Sequence, residues 1–383
     1  GEKNIERKIE ALSKRELILP HPRSRIPGTR EFRFKNSITS KVAYTGLTED
    51  KQQAYHNKLA KWLESTGLDT VEMKKLIAHN YTQGGREEDA ARIYYQLGQA
   101  CGTIGGEYHE ALKYFDRALD LARKSGNREL EHDALGQVGI MSSKLGMFDK
   151  ADELLDEVIR LASDAGDTTK EAIYTRELAL VHACRGYYDE ALETVHQAIA
   201  LTKGKDAPAI EMEIESTSGL IHLLMTDYKK AIGHYKRAYE LAEKTDNTYK
   251  IANILHNLGH CFYSMKELSK AGEYFESSVL ICEREGFYSL RYINLAYIYY
   301  LNILRTSDGT FVDKMGECLS FARRFYDNWG LIQIRILMGR SHAHLKQKKR
   351  AAECFNLAIA DARKFSFSSF VEEAEKALLE LDQ

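Results

Sequence analysis

Residues 251–280 read IANILHNLGHCFYSMKELSKAGEYFESSVL, and the positions of Gly259, Ala271, Phe275 and Ser278 within that stretch decide the fold. Ala271, Phe275 and Ser278 follow at offsets of zero, four and seven, and Ile281 adds ten, which places all four on one face of an α-helix. Moving forty residues at a time, the first column becomes Ala111, Ala151, Ala191, Ala231, Ala271 and Ala351, interrupted by Phe311. The second column is Phe115, Leu155, Val195, Tyr235, Phe275, Met315 and Phe355, all apolar; the third is Ala118, Val158, Ala198, Ala238, Ser278, Cys318 and Ala358, all small or short. Small residues flanked by large ones describe a helix packed closely against its neighbours. A period sustained in this way means a stack of supersecondary units.

The other helix of each unit has its own column. Twelve residues before the alanine stand Gly139, Ala179, Gly219, Gly259 and Gly339, with Gln99 and Tyr299 as exceptions. Aromatic residues Tyr108, Phe148, Tyr188 and Tyr228 open the second helix, and Gly126, Gly166 and Gly286, with Asp206 and Asp246 as substitutes, suit left-handed C-caps. Seven helical hairpins are therefore expected between about residues 92 and 366, the sixth degenerate. This skeleton of Leu-Gly, Tyr, Ala, Phe and Ala resembles the tetratricopeptide repeat, with Ile254–Gly259, Ala271, Phe275 and Leu280 as one of its better copies. The usual period of that family is shorter, and its terminal proline is absent here. The resemblance implies an all-α, right-handed superhelix over residues 67–383, with a concave groove lined by the first helix of each hairpin.

Composition changes ahead of the repeats. Residues 1–66 carry 14 Lys and Arg against 8 Asp and Glu, whereas the rest of the 383-residue chain carries 40 against 48. A helix over 4–14, short strands at 16–19 and 31–34 around a Pro/Gly/Ser-rich loop, and helices at 37–46 and 49–65 are expected. The last of these is expected to bury Tyr55, Leu59, Trp62 and Leu63. That order is the back half of a winged-helix domain, taken as residues 1–66.

Arg15–Ile18, Gly28–Lys35, Val42–Tyr44, Tyr55-His56 and Ala60–Glu64, continued by Ile77–Tyr81 and Ala90–Tyr95, resemble the junction between a bacterial STAND (AAA-like) signalling ATPase and its repeats. Such ATPases are often linked to cyclase or kinase domains. Asn36 departs from the pattern, since relatives usually show a histidine there. The resemblance implies a sensor arm that binds a protein or peptide in its groove and relays this to an upstream ATPase module. A free-standing repeat receptor or scaffold is the other reading.

No Gly-x-x-x-x-Gly-Lys-Ser/Thr stretch occurs, and no nucleophile elbow or catalytic constellation is found, so catalysis and cofactors are not expected. His256 and His260 have a metal-compatible spacing, but no glutamate sits between them in the zinc-protease manner, and no metal is expected. Six dispersed cysteines suit reduced core thiols in a cytoplasmic protein. No apolar run approaches the roughly 18 residues of a membrane span. The basic N-terminal segment lacks base-reading residues on a complete recognition helix, so nucleic acid is not an expected partner.

The groove is expected to centre on Asn253, His256, Asn257, His260, Tyr263, Asn294, Tyr297, Tyr300 and Arg340. Asn253 and Asn257 lie one helical turn apart, so their amides suit an extended backbone. The tyrosines offer rigid aromatic area and Arg340 a carboxylate partner. In peptide-binding members of the repeat family, an asparagine at the Asn257 position holds ligand backbone.

Overall fold

The computed structural model describes residues 2–24, 26–104, 107–324 and 327–381. It divides into two compact units, one formed by residues 1–97 with 117–130 and the other by 98–116 with 131–383.

In the first unit, α1 (Glu2–Lys14) leads into strands β1 (Ile18–Pro20) and β2 (Phe32–Phe34), paired antiparallel with Ile18 opposite Phe34. Helices α2 (Ser37–Thr45), α3 (Glu49–Ser65), α4 (Val71–Gln83) and α5 (Glu87–Gln99) follow. Asn36, the residue that departs from the junction pattern, N-caps α2 by accepting the Thr39 amide at 2.8 Å. The expected burial of α3 is corrected. Ala60 and Leu63 are buried, but Tyr55, Leu59 and Trp62 are 57%, 40% and 44% exposed. Offsets of four and three put those three residues on one face, and α4 packs against the other.

Helix α6 (Tyr108–Ser125) is shared by the two units, and a π-helical turn at Ala100–Ile104 precedes it. In the second unit the hairpins are α7 (Arg128–Lys144) with α8 (Phe148–Asp164), α9 (Thr168–Arg185) with α10 (Tyr188–Thr202), and α11 (Pro208–Leu224) with α12 (Tyr228–Lys244). Then come α13 (Thr248–Ser264) with α14 (Leu268–Glu285), α15 (Tyr288–Thr306) with α16 (Thr310–Arg324), α17 (Asn328–His344) with α18 (Lys348–Lys364), and the closing α19 (Ser368–Leu379). The chain is thus all-α, its second unit a tetratricopeptide-like superhelix and its first carrying a two-stranded sheet near the N-terminus. Among the described residues, no helix is long and apolar enough to cross a membrane.

The sequence columns are the core. Every alanine of the first column is fully buried, and so are Phe115, Leu155, Val195, Tyr235, Phe275, Met315 and Phe355 in the second. The glycine column exists because of the residue sixteen positions later. A Cβ on Gly219, Gly259 or Gly339 would meet the ring of Tyr235, Phe275 or Phe355 at 2.8, 2.7 or 2.5 Å. Opposite the smaller Leu155, a Cβ on Gly139 would sit at 3.2 Å, and opposite Val195 the chain uses Ala179, which is fully buried. In the degenerate hairpin the bulky Tyr299 takes the glycine position, Met315 replaces the ring, and Tyr299 stacks on Phe311 with centroids 5.9 Å apart.

The second unit also carries a contact that no nearest-neighbour stack requires. The turn before α8 meets the turn before α19. Phe148 and Phe367, both buried, pack edge to face at 5.5 Å, and Trp329 joins Phe367 at 5.3 Å and Phe370 at 4.6 Å. Gly146 takes φ 75° there, and a Cβ on it would sit 2.7 Å from the Phe365 carbonyl oxygen. Both its left-handed backbone and its lack of a side chain are therefore required.

The pairing across each hairpin is testable. Gly259→Ala is expected to cost about 1–3 kcal/mol through overpacking. Adding Phe275→Val, which reproduces the Ala179–Val195 pair, should recover part of that loss, so the two changes are non-additive in denaturant unfolding. Strictly additive costs would show that the ring does not set the glycine.

Candidate functional site

The inner surface of the second unit holds a cleft of about 290 Å³. Its wall is built by the first helices of six successive hairpins, α7, α9, α11, α13, α15 and α17, with Tyr108 from the start of α6 and Phe367 ahead of α19. Because these helices follow one another at a forty-residue spacing, the same helical face recurs and lines a continuous strip.

Polar groups dominate one part of the strip. Lys250, in the first turn of α13, donates to Glu213 Oε2 at 2.8 Å and lies 2.7 Å from Oε1. Arg176 of α9 lies 2.7 Å from the buried Glu177. The Glu213 carboxyl is opposed by burial but is held below the usual carboxylate range by Lys250, Arg176 and Lys144. Desolvation pushes the hydroxyls of Tyr108 and Tyr249 up to about 12, although Tyr249 as a whole is 44% exposed. Asp327, which caps α17 by accepting the Gly330 amide at 2.9 Å, has its carboxyl raised by burial.

The nine residues expected at the groove centre fall into two groups. Asn253, His256 and Asn257 line the cleft. Asn257 Nδ2 donates to Asn253 Oδ1 at 3.4 Å, a long bond that leaves both half-buried amides with unused capacity. The other six belong to a packed polar and aromatic cluster beside it. Asn294 is fully buried; its Oδ1 lies 3.0 Å from His256 Nδ1, and its Nδ2 donates to Ser278 Oγ at 2.9 Å and Leu290 O at 2.8 Å. Ser278 in turn donates to Ala252 O at 2.7 Å, so one hydrogen-bonded chain ties α13, α14 and α15 together. Since an amide oxygen only accepts, His256 carries its proton on Nδ1.

Tyr297 sits at the middle of the cluster, with ring centroids 5.6 Å from His260 and 5.5 Å from Tyr263, and stacks on Phe275 at 4.5 Å. Tyr300 packs edge-on to Tyr263 at 5.9 Å. Arg340 donates to the Tyr263 hydroxyl at 2.8 Å and pairs with Glu373 of α19 at 2.9 Å. Arg340 therefore already has a carboxylate. Lys144, Lys250, Tyr108, Tyr249, Trp329 and Phe367 line the cleft without having been expected there from sequence. They sit at helix ends or in turns, where superhelical curvature rather than register brings them together.

A tetratricopeptide-repeat family profile matches residues 89–164 and 211–284. Response regulator aspartate phosphatase A of Bacillus subtilis (strain 168) is 37% identical over 101 residues, 26% of this chain and 26% of that protein. The signal transduction ATPase with numerous domains (STAND) protein with a tetratricopeptide repeat sensor from Pyrococcus horikoshii has a TM-score of 0.59 at 12% identity, covering 98% of this chain and 54% of that one. The Rap conjugation gene regulator of plasmid pLS20, in complex with the Phr* peptide, has a TM-score of 0.61 at 13% identity, over 84% and 94% of the two chains. The chain thus spans about a quarter of the phosphatase and about half of the STAND protein. At such identities the structural likenesses show a shared fold, the tetratricopeptide superhelix.

Two histidines, the buried His256 and the half-buried His260, make the second unit sensitive to acid. Burial lowers both His256 and His260 to about 4. An unfolded chain takes up these protons near pH 6.5, so between about 6.5 and 4 it binds more protons than the folded one, and stability falls as pH is lowered. The pair accounts for a loss on the order of a few kcal/mol, fully restored above pH 6.5. Calorimetric melting from pH 7.5 to 4.5 should show a shallower slope for H256Q/H260Q than for the parent chain; equal slopes would rule out these histidines as the cause.

Proposed function

We propose that the chain is a non-catalytic sensor arm that binds a short peptide or partner segment in the cleft of the second unit. In this reading it relays occupancy to the upstream switch of a STAND-type signalling ATPase. The observation that carries it is the cleft itself: six successive first helices turn polar side chains onto one concave strip, and Asn253 and Asn257 are left with spare hydrogen-bonding capacity. A ligand lying along such a strip touches several hairpins at once, so it selects the stacking angles that suit it. The fold shared with a STAND tetratricopeptide sensor and with a Rap regulator solved in complex with a peptide supports the same reading.

The relay runs through residues 37–66, proposed as the end of a winged-helix junction occupying 1–66. There α3 leaves Tyr55, Leu59 and Trp62 exposed, and α2 leaves Ile38 and Val42 exposed, which supplies apolar surface for contact with the ATPase module. A free-standing peptide receptor is the second reading, favoured by the 94% coverage of the Rap regulator.

Selection of a displayed random peptide library on the whole chain, followed by titration of the selected peptides, tests the binding step. The N253A/N257A variant should weaken binding about tenfold or more, since each amide supplies paired contacts to a backbone. Unchanged affinity would move the ligand away from this cleft.

A further inference from the structure

Helix α3 of the first unit has two unlike halves. Toward α4 its polar groups are spent on the unit itself: His56 Nδ1 lies 2.8 Å from Asn80 Oδ1, Asn57 Nδ2 donates to Gly84 O at 2.8 Å, and the Tyr81 hydroxyl donates to Glu64. His56 Nε2 lies 3.0 Å from the Tyr44 hydroxyl, which ties α2 to the same helix. Because an amide oxygen only accepts, His56 carries its proton on Nδ1 and Nε2 receives the Tyr44 O–H.

The other half is left to solvent. Tyr55, Leu59 and Trp62 stand there with Lys51 and Lys58 beside them and Lys61 at the edge, while Glu49, Asp50 and Glu64 fall on the opposite side of the helix. The three lysines are exposed and make no ion pair among the described residues, and the Lys58 ammonium lies 6.0 Å over the Tyr55 ring. An apolar patch edged by charge of one sign, with an aromatic pair inside it, marks a contact surface.

The charges choose among occupants. A second copy meeting the same face would set lysines against lysines. Three lysines fall short of the roughly 4–8 basic residues that hold a segment on an anionic bilayer, and the three apolar side chains are already partly covered, which limits insertion. A protein surface with carboxylates at its edge satisfies both the apolar centre and the unpaired ammonium groups.

We infer that this face of α3 docks a protein surface that is apolar at its centre and carries carboxylates where it meets Lys51 and Lys58. The inference rests on the relay reading above and deepens it, since it names the face of residues 37–66 that makes the contact and the chemistry it meets.

The test selects a displayed library of amphipathic helical peptides on the whole chain. The peptides are apolar on one face, with Glu, Gln or Lys drawn at random along its edges, and only binders that the L59S/W62S variant fails to retain are kept. Glu is expected to dominate the edges. Resynthesis of a selected peptide with Lys edges should weaken it about tenfold or more at low salt, and the gap should narrow as salt is raised. K51E/K58E, which leaves the apolar face intact, should reverse the preference in favour of the Lys-edged peptide. All four substituted positions are exposed, so melting midpoints should stay in place.

Binders that L59S/W62S rejects but whose edges show no preference of sign, or favour Lys, overturn the acidic partner and leave the relay surface standing. Self-association abolished by L59S/W62S assigns the face to a second copy, and capture by phosphatidylserine vesicles assigns it to a membrane; either overturns the inference. If every binder is retained by both variants, and neither vesicles nor a second copy is bound, the face makes no contact and the relay reading falls with the inference.

Discussion

Everything in the repeat region depends on how closely the two helices of a hairpin approach, and that distance is set by one pair of residues sixteen positions apart. Where the second helix offers an aromatic ring, the first can offer only a hydrogen at the facing position, as at Gly219, Gly259 and Gly339. Where it offers valine, a methyl is accommodated at Ala179. Volume is conserved across the pair while identity is not, which is what close packing demands of a core built one hairpin at a time. The approach also brings the backbone of the first helix near the interior of the stack. Its outward face is then left to form the concave wall.

The glycine–aromatic compensation explains why the architecture was legible. A forty-residue period, two helical faces and their caps all point to the same hairpins, and this consistency across levels makes a local pattern trustworthy. Burial in residues 49–65 was not legible for the opposite reason. A helical apolar stripe states that a face is suited to burial, not which neighbour buries it. In α3 the side bearing Ala60 and Leu63 meets α4, while Tyr55, Leu59 and Trp62 face outward. The C-cap after α10 is a smaller case. Gly204, at φ 79°, supplies the left-handed turn, two residues ahead of the expected Asp206.

The groove was legible to the level of the helix face and no further. Register places His260, Asn294, Tyr297 and Arg340 on inward-facing positions, but an inward position is open or filled according to the radius of the superhelix. Around α13 to α17 it is filled: His256, Asn294 and Ser278 satisfy one another, and Arg340 spends its charge on Tyr263 and Glu373. Such a chain costs heavily if any member is lost, because each leaves a buried partner unpaired. It therefore acts as a rigid floor beside the cleft. The residues that do line the cleft without a sequence signal, Lys144 and Trp329 among them, come from helix ends separated by more than a hundred residues.

That separation bears on how the cleft responds to its contents. In a stack with only nearest-neighbour contacts, small rotations at each interface accumulate freely and curvature is soft. Here Phe148 and Phe367 add a contact between the second unit's early and late hairpins, reinforced by Trp329 and by the fit of Gly146 against Phe365. Phe367 and Trp329 also line the cleft. The same aromatic side chains thus close the superhelix and face whatever occupies its interior. A change in spacing along the strip, even one spread thinly over six helices, accumulates at this seam, since early and late hairpins meet there. Packed interfaces of this kind switch between discrete arrangements rather than deforming smoothly. If a ligand occupies the strip as proposed, its effect on curvature is expected at this seam as well as at the individual hairpins.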